Sequence, residues 1–338
     1  MDAVRAVLQG ERLAIARLIT KIENQDPDGF AVLDQLFPYT GKAHLIGVTG
    51  SPGSGKSSLV NELVKQLRSE GIAAGSRRVG VVAVDPISPF SGGALLGDRV
   101  RMRGLMGDPD VFIRSMASRG ALGGLAYTTG AVVQVLDAAG FDQIVIETVG
   151  AGQTEVDIAR LAHTVIVVEA PGMGDDIQAI KAGILEIADI LVVNKADHAG
   201  AENTMRALEN MLELARQDMR DTRLQTGCGN SEPAGQNRKY AWSVPVMRTI
   251  ATTGDGIEAL REKIADHIEY LGQTNERKHR DRWRICAELD RLIQDKMVAK
   301  WKAAIEPGQF ETVVEQLVCR EISPQIALDI LTKKHKDE

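Results

Sequence analysis

Cysteine is scarce: Cys228, Cys286 and Cys319 are the only three in 338 residues. Their number is odd, their spacing is wide, and no C-x-x-C pair occurs. That pattern suggests neither a disulfide framework nor a zinc site built on cysteine, and predicts free thiols in a reducing compartment. Long apolar runs are also missing, since no stretch approaches the ~18 residues that a spanning helix needs. The first residues lack the apolar segment of a signal peptide, and Asp2, Glu11 and Glu23 argue against a transit peptide. The expected location is therefore cytoplasmic, with no membrane partner. A basic excess is absent too, as the formal net charge is −6. Phosphate backbones demand a basic field, so nucleic acid is not the expected partner.

What is present is an ordinary globular composition, 44% hydrophobic and 25% charged. The length allows two domains, or one large domain with extensions. Residues 1–42 read as a helical N-terminal extension. Ile15, Leu18, Ile19 and Ile22 recur at helical spacing, and a second short helix carries Phe30, Leu33, Leu36 and Phe37. A break is expected over residues 24–29, with Pro27 and Gly29 as turn residues.

From residue 43 to about 270, short β-branched runs alternate with helical stretches. The runs fall at 45–48, 79–84, 111–113, 144–146, 165–168, 190–193 and 244–247. They are almost unbroken in hydrophobicity, as parallel strands covered on both faces are. The expected fold is α/β, a doubly wound and mostly parallel sheet, with ligands at the carboxyl ends of its strands. Residues 221–242 are rich in Gly, Asn, Gln, Ser and Thr and read as a loop. Residues 271–338 are helical again. There Cys286, Leu289, Ile293, Met297 and Trp301 form one stripe on a long helix, packed either on the chain's own core or on another subunit.

The sharpest motif is Gly50-Ser51-Pro52-Gly53-Ser54-Gly55-Lys56-Ser57, which fits G-x-x-x-x-G-K-S/T between a strand and a helix. Glycines let backbone N–H groups turn inward around phosphates, and the helix N-terminus adds donors and a dipole. The cradle is expected to run from Gly50 to Ser58. Lys56 should reach the β- and γ-phosphates, and the Ser57 hydroxyl should ligate magnesium.

Asn194-Lys195-Ala196-Asp197 follows the run 190–193 and has the N-K-x-D pattern for guanine. The Asp197 carboxylate can accept from guanine N1–H and the 2-amino group. Adenine offers neither donor, so the carboxylate would be left unpaired, and such sites discriminate by roughly 10⁴ or more. Lys195 would lie along the base, and the Asn194 amide would brace neighbouring loops. Ile250-Ala251-Thr252, ahead of Thr253-Gly254-Asp255-Gly256, is the candidate second base loop, acting through backbone N–H groups. The cofactor pair expected is GTP/GDP with Mg²⁺.

Glu147-Thr148-Val149-Gly150 ends another strand. The Glu147 carboxylate there can hold magnesium, directly or through water, and the Gly150 N–H can sense a γ-phosphate. The hydrolytic glutamine that usually follows this glycine is replaced by Ala151. Gln153 could orient the attacking water only if the loop folds back, so slow turnover is expected, raised when a partner orders the loop. Asp85 and Asp98 are further candidate metal carboxylates, with turn and cap roles as the alternative.

Together these residues resemble the GTPases associated with methylmalonyl-CoA mutase, the MeaB/ArgK family. The resemblance covers roughly residues 8–305. Its most specific stretch runs from Asp85-Pro86-Ile87-Ser88-Pro89-Phe90 to Gly97-Asp98-Arg99-Val100-Arg101-Met102, similar to the family's first switch. Arg119-Gly120-Ala121-Leu122-Gly123-Gly124-Leu125 and the glutamate of Glu147-Thr148-Val149-Gly150 are similar as well. Gly174-Asp175-Asp176-Ile177-Gln178-Ala179-Ile180-Lys181 resembles the third switch, which makes Asp175, Asp176, Gln178 and Lys181 the implied partner-facing residues. Ile87 and Ile250 depart from the hydroxyl residues common in the family.

The resemblance implies a homodimer with a C-terminal helical dimerisation arm, which the stripe from Cys286 to Trp301 fits. It also implies a chaperone for an adenosylcobalamin-dependent acyl-CoA mutase. GTP hydrolysis would gate cofactor loading and protect the mutase. Three other readings stay open on the residues alone. A metal-delivery GTPase for a nickel enzyme shares the glutamate-type switch, but the six histidines are scattered. A transport-system kinase lacks an acceptor-binding signature. A nucleotide-binding module without turnover would account for the unusual hydrolytic segment.

Overall fold

The computed structural model describes residues 3–74, 77–86, 102–105, 107–118, 124–148, 160–172, 187–225 and 242–332, with backbone alone at 70–74, 85–86, 103, 117–118, 124–127 and 215–225. Residues 1–281 form one compact unit and residues 282–338 a second.

Three helices open the first unit: α1 (Ala3–Leu8), α2 (Arg12–Glu23) and α3 (Pro27–Leu36). Ile15, Leu18, Ile19 and Ile22 form the buried face of α2. The break between α2 and α3 is shorter than the sequence suggests. Pro27 is not a turn residue but the first residue of α3, where its fixed φ suits a helix and its missing N–H is no loss. The Asp26 carboxylate caps that helix by accepting from Asp28 N–H at 2.9 Å. Gly29 also lies inside α3. A Cβ there would stand 2.9 Å from the Lys21 Cβ, so the glycine sets how closely α2 and α3 pack.

Seven described strands make the sheet: β1 (His44–Gly50), β2 (Val79–Pro86), β3 (Val111–Ser118), β4 (Gln143–Thr148), β5 (Thr164–Glu169), β6 (Ile190–Val193) and β7 (Val246–Arg248). Their order is β3-β2-β4-β1-β5-β6-β7, and every pairing is parallel. β1, β4, β5 and β6 are buried at every residue, which is why their sequences do not alternate. Edge strand β7 is only half-buried and sits slightly later than the run 244–247.

Alternate residues of each strand serve opposite layers. Leu45, Val82, Ile144 and Ile146 join a cluster with α2, α3 and α5 (Gly124–Ala138). Ile46, Val48, Val145 and Ile166 join another with Leu59 and Leu63 of α4 (Lys56–Ala74) and Leu260 and Ile264 of α7 (Ile257–Thr274). Each such side chain contributes about 1.5–3 kcal/mol on burial. A third cluster packs Val165, Val167, Leu191 and Val193 on Leu208 of α6 (Ala201–Gln225). Residues 221–225, expected in a loop, continue this helix; residues 226–241 of that expectation lie outside the described residues.

The amino ends of the central strands carry a buried polar cluster. His44 Nε2 lies 2.7 Å from Thr164 Oγ1, which lies 2.8 Å from His267 Nδ1. His267 Nε2 is 3.3 Å from Asp189 Oδ1. Arg280, near the start of α8 (Glu276–Ala304), donates to both Asp189 oxygens at 2.7 and 2.8 Å and also to the His163 carbonyl at 2.7 Å. Burial, helped by the neighbouring His163, lowers the His44 imidazole to about 2. Burial alone would raise the Asp189 carboxyl, but His267 and Arg280 overcome it and hold it at about 2.

In the second unit, α9 (Gln309–Val318) and α10 (Pro324–Thr332) follow α8. Trp301 Nε1 donates to the Leu331 carbonyl at 3.1 Å. Leu289, Ile293 and Met297 remain more than half exposed. No described helix is long and apolar enough to cross a membrane.

Candidate nucleotide site

β1 is the central strand, with β4 and β5 as neighbours, and its carboxyl end runs into the loop 51–55. Such a position, where strand connections diverge, is where open α/β sheets bind ligands. Gly50 adopts φ +129°, and a Cβ on it would stand 2.1 Å from the Val168 carbonyl oxygen. Gly55 has φ +91°, and its Cβ would meet Asn194 Nδ2 at 2.5 Å. Only glycine lets the loop lie this close to its neighbours.

Lys56 opens α4 and folds back over the loop. Its ammonium donates to the carbonyls of Gly50 and Ser51 at 2.8 and 2.9 Å. Pro52, Gly53 and Ser54 span the turn, and Ser58 is in the first turn of α4. The Ser54 hydroxyl is buried without a hydrogen-bond partner among the described residues. A buried hydroxyl without a partner is expensive, and one beside a phosphate cradle fits a site completed by an anionic ligand.

Ser57 Oγ donates to Glu147 Oε1 at 2.6 Å. Both residues are buried, and the pair supplies hard oxygen donors of the kind magnesium takes. A second pair has the same form, since Ser51 Oγ donates to Glu169 Oε2 at 2.7 Å. Sequence reasoning missed Glu169. Its signal was a lone carboxylate closing the apolar run 165–168.

Asn194, just past β6, is the junction between base segment and loop. Its Nδ2 donates to the Ser54 carbonyl at 2.8 Å. Its Oδ1 accepts from Thr249 Oγ1 and from the Ala251 N–H, both at 3.1 Å. Lys195 takes a left-handed φ of 55° and reaches across to donate to the Gly53 carbonyl at 2.8 Å. Asp197 points to solvent, half exposed, with His198 Nε2 at 3.8 Å. The Ile250 N–H donates to the Asp255 carbonyl at 2.9 Å, and the Ala251 N–H is taken by Asn194. Thr252 lies in the exposed turn that follows.

Hydrogen bonds bring together Gly50 to Ser58, Glu147, Asn194, Lys195 and Ala251, while Asp197 and Thr252 are exposed nearby in sequence, with no hydrogen bond to the loop among the described residues. For Asp85 it describes the backbone alone, at the end of β2. Asp98, Gly150, Gln153, Asp175, Asp176, Gln178 and Lys181 lie outside the described residues.

A family model described as "Methylmalonyl Co-A mutase-associated GTPase MeaB" matches residues 15–306. A "Putative GTPase" of Pyrococcus abyssi is 43% identical over 333 residues, covering 98% of this chain and 96% of the relative. The "GTPase ArgK" of Escherichia coli is 32% identical, covering 90% of this chain and 92% of the relative. A solved structure titled "Crystal structure of LAO/AO transport system kinase" aligns over 98% of this chain and 95% of its own, at TM-score 0.64 and 23% identity, which speaks to fold alone. With a phosphate loop on the central strand, a guanine-type segment beside it, and this match across most of its length, the chain belongs to the MeaB family of methylmalonyl Co-A mutase-associated GTPases.

Proposed function

We propose that this GTPase works as a homodimeric chaperone, coupling hydrolysis of magnesium-bound GTP to the loading of adenosylcobalamin into an acyl-CoA mutase and to the mutase's protection. The single observation that carries the reading is the family match over residues 15–306, whose description names methylmalonyl Co-A mutase.

In this reading Lys56 exchanges the carbonyls of Gly50 and Ser51 for phosphate oxygens. Magnesium would supply charge neutralisation across the β- and γ-phosphates. Ser57 and Glu147 would hold it, with Asp85 and Asp98 joining as nucleotide state requires. Asp197 selects guanine, and the Asn194 amide keeps the base segment in register with the phosphate loop. Gly150 and Gln153 belong to the hydrolytic segment. Because no glutamine directly follows Gly150, turnover is slow until the mutase orders that segment. Asp175, Asp176, Gln178 and Lys181 carry the partner contact, and the exposed stripe of α8 carries the contact between two copies. The exposed thiols of Cys286 and Cys319 suit the reducing cytoplasm.

The test is to mix the purified protein with adenosylcobalamin-dependent acyl-CoA mutases and follow complex formation and phosphate release. One mutase should bind and raise GTP turnover at least tenfold. Neither binding nor stimulation across methylmalonyl-, isobutyryl- and ethylmalonyl-CoA types would refute the chaperone role.

A further inference from the structure

Two hydroxyls of the phosphate loop are held by buried carboxylates, at opposite ends of the loop. Ser57 and Glu147 lie on the helix side, where a metal is expected. Ser51 and Glu169 lie on the strand side. Glu169 is 3% exposed and is the last residue of β5. Its carbonyl accepts from the Asn194 N–H at 2.8 Å, and the preceding Val168 is the register partner of Gly50. It thus stands where the phosphate loop, β5 and the base segment meet.

A carboxylate in this place works against an anion cradle. Holding Ser51 needs only an acceptor oxygen, which an amide would supply as well. A carboxylate adds a negative charge beside the phosphates' seat, in surroundings that screen it poorly. Among the described residues, Lys56 on α4, Lys195 after β6 and Glu147 on β4 are charged groups bonded to the loop. Lys56 is the cation that draws phosphate in, Lys195 is bonded to the Gly53 carbonyl, and Glu147 is bonded to the hydroxyl at the loop's far end.

We propose that Glu169 is a positioning residue of the nucleotide site, fixing the first turn of the phosphate loop through Ser51 while its negative charge limits how tightly phosphates are held. The proposal rests on the reading of this loop as the GTP site.

The test measures the Kd of a fluorescent GDP analogue with magnesium at pH 7.5, for wild type, Glu169→Gln and Lys56→Ala. Glu169→Gln keeps an acceptor for Ser51 and loses the charge. It should bind roughly tenfold tighter than wild type. Glu169→Gln binding no tighter than wild type would overturn the proposal. Should Glu169→Gln fail to fold, Ser51→Ala is the substitute. It frees the first turn of the loop from Glu169 and should bind about tenfold more weakly, and unchanged binding would overturn the proposal equally. If wild type binds no guanine nucleotide, or Lys56→Ala binds as wild type does, the site reading fails and the proposal with it. If those controls behave and Glu169→Gln does not, the proposal alone fails.

Discussion

The Asn194 side-chain amide donates to the Ser54 carbonyl at 2.8 Å, so base segment and phosphate loop are one hydrogen-bonded body. Asn194→Ala removes this bond and leaves Thr249 Oγ1 and the Ala251 N–H without their acceptor. The loss should cost about 3 kcal/mol, roughly 5–10 °C in unfolding temperature, with guanine-nucleotide affinity falling about tenfold or more. Thermal unfolding with and without GDP checks both numbers. A variant as stable as wild type would show that the bridge is incidental.

Gly50 cannot be replaced cheaply. An alanine would need φ near +129°, and its Cβ would stand 2.1 Å from the Val168 carbonyl oxygen. Gly50→Ala should lose about 3 kcal/mol or more, through backbone strain and the parting of β1 from β5. Chemical denaturation measures this, and a shift under ~1 kcal/mol would contradict the described contact.

Asp197 offers a specificity switch, because Asn at this position exchanges an acceptor for a donor. Xanthine carries a carbonyl where guanine carries its 2-amino group. Asp197→Asn should therefore lose GTP affinity by about 100-fold or more and gain the xanthine nucleotide. Competition binding decides it, and unchanged preference for guanine would remove Asp197 from the base site.

How much of this was legible beforehand differs by region. The strand runs were readable because the central strands are buried on both faces, which forces unbroken apolar sequence. The phosphate loop was readable because Gly50, Gly55 and Lys56 each meet a demand that few other residues satisfy. Pro27 misled because proline signals both a turn and a helix start, and only the cap by Asp26 separates the two. Glu169 was missed although it closes an apolar run, because its meaning depends on Ser51, distant in sequence and brought close only by parallel pairing of β1 and β5. The polar cluster at His44, His163 and His267 was equally hidden, since scattered histidines carry no local pattern.

Acid should unfold the first unit early. His44 is held neutral to about pH 2 in the fold, against 6.5 when free, so the unfolded chain binds the extra proton between those values. Stability therefore falls as pH drops below 6.5, with slope up to about 1.4 kcal/mol per pH unit for this proton. Asp189 adds to the loss lower down, between its free value of 3.8 and about 2. Urea midpoints from pH 7.5 to 4 check the direction. His44→Gln should flatten the slope, and an equal slope in both proteins would remove His44 as its source.

The exposed row on α8 should hold two copies together. Leu289, Ile293 and Met297 are 55%, 51% and 62% exposed. Light scattering should give a dimer for wild type and a monomer for the double substitution Leu289→Glu with Ile293→Glu. A wild-type monomer at micromolar concentration would end this assignment.

The two ends of β1 have different tenants. Gly50 starts the phosphate loop, while His44 sits in the cluster that also holds Arg280 at the root of α8. The seven residues from one end to the other are buried throughout and bonded to a strand on either side, a span of about 20 Å. Such a strand has no slack to take up a displacement within itself. A displacement of Gly50 would therefore pass to β4 and β5 or emerge at His44, in the cluster that also holds the first turns of α8.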